Sequence, residues 1–253
     1  GTGRRAGLSN PVLSLQGTYV PADGHVDVAM DLQEFTRTNT PSDDGTGFQK
    51  ANNRLLDIPV DGTVMVKAGS MVAYTGEMTF TGKSSAEGGI TGFVKEAVSG
   101  EGTPVMEAEG SGHLYVAEQS KKVQVLDLDA DESISVNGND VLAFESGVDY
   151  EINTVGSLSG MAAGGLTNVY LTGPGEIALT THGNPIVMTP PVFTDPDATV
   201  AWSANLSPSI EMNKKLEIGQ TSGESIQMEF SGSEGFVVVQ PNEEGSVTQS
   251  QNQ

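Results

Sequence analysis

The chain has 253 residues, among them 32 glycines and no cysteine, and 12 Lys and Arg set against 33 Asp and Glu leave a formal charge of −21. Without cysteine there are no disulfides, thiolate metal sites or cysteine nucleophiles, and so acidic a surface repels phosphate backbones, so nucleic acid is not an expected partner. Aromatics at 6% and charged residues at 18%, together with many glycines that permit positive φ, favour short strands and tight turns over long helices.

Bases are scarce here rather than acids abundant, so solvation explains the imbalance more simply than cation binding. The length suits one large β domain or two smaller ones. No stretch approaches the roughly 18 apolar residues that span a bilayer. Arg4-Arg5 is followed by Ala-Gly-Leu-Ser-Asn-Pro and not by an apolar export segment. Cytoplasmic residence is the expectation, with a peripheral membrane contact left open.

Residues 1–54 read as an N-terminal extension with first strands. Val12–Leu15 and Val26–Met30 have strand-like spacing, and Asn39–Gly47 is a polar loop. From Asp57 the pattern sharpens. Asp57–Phe80 and Asp127–Tyr150 align without a gap, each residue lying seventy positions before its match: Asp57 with Asp127, Asp61 with Asp131, Val66 with Val136, Ala73 with Ala143, Tyr74 with Phe144. Apolar residues recur at every second position, as in Val64 and Val66 or Ile134 and Val136, which is the period of a strand with one buried face. Asp61-Gly62, Lys67–Ser70 and Asn137–Asp140 supply turn chemistry between them.

Between these copies, Glu87–Ser99 breaks the alternation. Ile90, Phe93, Val94, Ala97 and Val98 follow the spacing of one short amphipathic helix, stopped by Gly100. Its plainest role is packing on the β core; Phe93 is the residue that would otherwise meet a partner or a membrane surface, with only Lys95 as a base to help. A weaker third copy ends in Thr199-Val-Ala-Trp202-Ser203. Glycine-then-alternating segments begin near Gly110, Gly173 and Gly235, about sixty residues apart. The expected organisation is therefore a repeated β domain over 55–241, with units of about 55–108, 109–172 and 173–241, and a disordered tail at 242–253. Tyr74, Phe144 and Trp202 stand at equivalent places. They read first as packing residues and second as rings that contact a ligand or partner.

Tests for chemistry fail on spacing. Gly82-Lys83-Ser84 would need its first phosphate-loop glycine at Glu77. Asp127, Asp129 and Asp131 resemble a calcium loop, but Glu132 stands where glycine is needed and Gly138 where a glutamate belongs. Gly156-Ser-Leu158-Ser-Gly160 has leucine at the nucleophile position. His25, His113 and His182 lack ligand spacing, although folding could join them. No catalytic, cofactor or metal residue is expected, and the chain reads as a non-enzyme.

Several segments together resemble the family of mitochondrial-biogenesis proteins named for altered inheritance of mitochondria, number twenty-four of that set, and look most like its actinobacterial branch. They are Ala68–Gly76, Val136–Phe144, Gly160–Gly165, Asp195–Trp202 and Gly235–Pro241. The resemblance implies a β-sandwich similar to the tryptophan RNA-binding attenuation protein, a likeness of architecture only. It brings no catalytic residues and no cofactor. The function expected is a non-enzymatic scaffold or interaction protein that supports membrane or envelope organisation through protein partners or self-association. The alternative is a small-molecule or carbohydrate-binding module with a cleft between repeats.

Overall fold

The computed structural model describes residues 29–42, 45–82, 105–155, 166–212 and 226–241, in two compact units, 1–41 and 42–253. The expected helix at 87–99 with Phe93, the run at 160–165, the strand at 12–15, His25 and the tail at 242–253 lie outside the described residues, as does most of the strand expected at 26–30.

In the first unit the described structure is one helix, α1 (Leu32–Asn39). Asp31 caps it: its carboxylate accepts the Glu34 N–H at 2.8 Å. Spacing along the chain did not predict this helix, although Asp-x-x-Glu at 31–34 is a capping signature.

The described residues of the second unit form β-strands, with one 3-10 turn at Pro196–Ala198. In chain order its strands are β1 (Gln49–Asn52), β2 (Leu55–Lys67), β3 (Met71–Tyr74), β4 (Glu77–Gly82), β5 (Val105–Val116), β6 (Lys122–Leu128), β7 (Ser133–Asn137), β8 (Val141–Glu145) and β9 (Asp149–Val155). They continue as β10 (Leu166–Thr172), β11 (Gly175–Thr181), β12 (Ile186–Met188), β13 (Val192–Thr194), β14 (Thr199–Ser203), β15 (Ser209–Met212), β16 (Ile226–Phe230) and β17 (Val237–Val239). One sheet runs β3-β5-β2-β8-β11-β6, with β1 beside β2 and β4 beside β5; a second runs β12-β17-β14-β7-β10-β9; a third runs β13-β16-β15. The ladders between them are antiparallel.

β2 organises the first sheet. It pairs with β5 in unbroken register from Leu56↔Val116 to Lys67↔Val105, and on its other side it meets β1 and then β8. Its even-numbered side chains Leu56, Ile58, Val60, Val64 and Val66 join Leu114, Val116, Val123 and Leu142 in one apolar cluster. The sheet curls around that cluster, and Val123 N–H at its far edge donates to Asn53 O at 2.9 Å. Met65 and Phe144 face the other way. With Ile177 and Leu179 they meet Ile134, Val136, Val169, Leu171 and Val200 of the second sheet, forming the centre of a sandwich. A third cluster, built on Trp202, Met228, Phe230 and Val237, joins the second sheet to the third. Each large side chain so buried contributes about 1.5–3 kcal/mol of transfer free energy.

Asp61-Gly62 is not the turn its residue types suggest. It lies inside β2, where Gly62 pairs with Gly110 and has φ +117°. The continuous ladder overrides local turn preference, and glycine absorbs the distortion. Lys67–Ser70 and Asn137–Asp140 do form turns. Strands occupy both aligned segments, but their surroundings differ: Met71–Tyr74 is exposed throughout, whereas Val141–Phe144 is buried throughout. β3 stands at a sheet edge, while β8 lies between β2 and β11.

At the kink between β3 and β4 the backbones touch. A Cβ on Gly112, whose φ is +145°, would lie 2.1 Å from Thr75 O, whereas one on Gly62 would meet nothing within 4 Å. Gly62→Ala is expected to cost about 1–3 kcal/mol from backbone strain alone. Gly112→Ala is expected to cost more, because the β3–β4 backbone must also move, and the two urea-unfolding midpoints measure the difference.

Candidate interaction surface

Two of the buried charges among the described residues meet at one junction. Lys121 and Asp140 form an ion pair at 2.6 Å with side chains 2% and 1% exposed. Lys121 Nζ also donates to Asn139 O at 3.2 Å, and Lys67 Nζ reaches the same carbonyl at 2.8 Å while pairing with Glu118 at 3.2 Å. Thr180 N–H donates to Asp140 O at 2.7 Å. These bonds tie the end of β2, the β5–β6 connection, the β7–β8 turn and β11 into one knot. Nineteen residues separate Lys121 from Asp140, so no local pattern announces the pair. Its role is structural, since neither head group reaches solvent.

A second polar contact joins His113 on β5 to Asp57 on β2, Nδ1 to Oδ1 at 2.8 Å, with the Asp57 side chain buried and the His113 ring partly open. His113 stacks on Tyr115 with centroids 6.3 Å apart. His182 follows β11, and its backbone N–H donates to Gln240 Oε1 at 2.8 Å. No group of three His, Asp or Glu able to hold a metal occurs among the described residues.

The aromatic residues singled out by sequence lie in separate places. Phe144 is fully buried in the sandwich centre against Tyr150, and Trp202 packs on Phe230 in the third cluster, so neither ring presents a face to solvent. Tyr74 is 47% exposed and meets Phe80 edge-on at 5.5 Å.

What the surface does offer is apolar sheet edge. β17 alternates between clusters, Val237 in the third and Val238 against the second, so both cores end at this strand. β12 lies outside it, pairing Ile186↔Val239, Val187↔Val238 and Met188↔Val237. Beyond both cores, Ile186 and Val187 are 60% and 68% exposed, and Met188 is exposed too, so both faces of this edge are bare. Sequence alone missed it, because Asn184-Pro-Ile-Val-Met188 is too short for an alternation pattern and reads as a loop between proline signals.

The charge pattern sets this edge apart. No ionisable side chain occurs from Gly183 to Thr194 or from Gly235 to Pro241. Charge stands on the edges formed by β4, which extends β3, by β6 and by β9, through Glu77, Lys122 and Asp127, and Asp149 and Glu151. β13, an edge of the third sheet, is uncharged like β12 but exposes one face, that of Phe193, while Val192 and Thr194 are buried. Charged edge strands resist pairing with other chains; β12 lacks that protection.

An all-β body of three antiparallel sheets with a bare apolar edge is the class of protein defined here. The chain belongs to the family described as Mitochondrial biogenesis AIM24, whose model matches residues 48–242. Its fold is similar to the crystal structure of protein SPYM3_0169 from Streptococcus pyogenes, with a TM-score of 0.60 and 22% identity, covering 78% of this chain and 92% of that one. No curated protein matches the chain. Among the described residues no helix is long and apolar enough to cross a membrane.

Removing one member of the buried pair leaves an uncompensated charge. Asp140→Ala is expected to destabilise the fold by about 3–5 kcal/mol, and Lys121→Met with Asp140→Leu to recover most of that loss. Urea unfolding of the three proteins measures it.

Proposed function

We propose that this protein is a non-enzymatic scaffold or interaction protein, acting through protein partners or self-association in support of membrane or envelope organisation. The observation that carries the reading is the uncharged, apolar β12 edge, exposed on both faces, in a chain whose β4, β6 and β9 edges carry charge. Monomeric proteins seldom leave such an edge open, because its free backbone groups template pairing with another strand. Membership in a family described by mitochondrial biogenesis favours an organising role over a catalytic one. The reading places the protein in the cytoplasm, touching a membrane at most peripherally and using no cofactor.

The alternative, a small-molecule or carbohydrate module, has Tyr74 as its accessible ring. Thermal shift separates the two. A ligand at about 100 times its Kd stabilises the folded state by about 2.7 kcal/mol, which raises Tm by several degrees. A flat response to diverse sugars, nucleotides and lipids is expected, together with a mass in light scattering above that of a single chain. A clear Tm rise with one ligand class, on a strictly monomeric protein, would replace the scaffold reading by the binding module.

A further inference from the structure

Resting on the reading of this chain as an interaction protein, we propose that the β12 edge is a homodimer interface, at which Ile186–Met188 pairs antiparallel with the same strand of a second copy about a two-fold axis close to Val187. The second sheet, β12-β17-β14-β7-β10-β9, then runs on without a break into that of its partner.

Three observations select a second copy. First, a two-fold axis at an edge strand places each residue opposite itself or its near neighbour, so an edge able to self-pair must carry no charge. β12 meets that condition, and so do the Gly183–Thr194 and Gly235–Pro241 segments around it. A basic partner would instead be met by carboxylates at the contact, and this chain places its carboxylates elsewhere. Second, the chain carries −21, so two copies can approach only where the surface is locally neutral; against the β4 or β9 edge they would set Glu77, Asp149 and Glu151 against like charge, and the uncharged β13 edge has Val192 and Thr194 buried, which leaves one face open. Third, Val187 and Ile186 expose opposite faces of one strand, and both are bare. A small ligand resting on the sheet would cover one face; an added strand with its own side chains covers both. Three residues a side make a small contact, so the dimer is weak and concentration-dependent.

The absence of cysteine makes the test direct. Antiparallel partners have Cα atoms about 4.5–5.5 Å apart, within the span of a disulfide. Val187→Cys under mild oxidation is expected to yield a disulfide-linked dimer on a non-reducing gel, and Val72→Cys, on the equally exposed β3, is expected to stay monomeric. In sedimentation, wild-type dimer should increase from about 20 mM to about 300 mM NaCl as the repulsion between the copies is screened, and Val187→Lys should abolish it with an unchanged far-UV spectrum. Wild-type protein that remains monomeric at every concentration and salt overturns the homodimer. So does a dimer that survives Val187→Lys while Val187→Cys fails to cross-link. In that second case self-association, and with it the interaction reading, stands on another surface. Binding of a different protein at β12 with no self-association overturns the homodimer and keeps that reading as well.

Discussion

The twelve-residue antiparallel ladder between β2 and β5 is the constraint from which the rest of the molecule follows. Because it runs without slipping from Leu56↔Val116 to Lys67↔Val105, the even-numbered apolar residues of β2, Leu56, Ile58, Val60, Val64 and Val66, are committed to the inner face of the curled sheet. A one-residue slip would turn that whole set to the other side. On its other side β2 takes β1 and then β8. Through β8 it sets the positions of β11 and Phe144, and so the face on which the second sheet packs.

The central cluster draws on the whole length of the β body. Met65 and Val105 come from its early strands, Ile134 to Leu171 from its middle, and Ile177 to Ala201 from its later part. No stretch of the chain could bury this core alone, which makes the unit cooperative. The Lys121–Asp140 knot adds direction to it, because apolar packing alone tolerates small rotations of one sheet on another, whereas a buried ion pair with fixed carbonyl partners does not.

The chemistry of the surface follows from where the cores stop. Both the sandwich centre and the third cluster end at β17, leaving β12 as a strand held by backbone pairing on one side. An edge in that position is ordinarily guarded by charge or by a covering loop. Here it is uncharged and bare, in a protein otherwise rich in carboxylates, and the proposed interaction role rests on that contrast.

Much of the β architecture was legible in the chain itself. Alternation at Val64 and Val66 or Ile134 and Val136 reports a local property, the two-residue period of a pleated strand, and local properties survive in sequence. The same holds for the turns at Lys67–Ser70 and Asn137–Asp140 and for the aligned Φ-Ala-aromatic steps, which all fall on strands. Tertiary structure alone decided the environment of each. Tyr74, Phe144 and Trp202 share a sequence pattern, yet one ring is exposed and two are enclosed, because burial depends on whether a strand lies at the edge or the middle of its sheet. Asp61-Gly62 became strand because its partner, Gly110, lies forty-eight positions away. The Lys121–Asp140 and Asp57–His113 pairs, and the openness of β12, likewise arise from strands that meet only once the chain has folded, and no spacing along the sequence encodes such meetings.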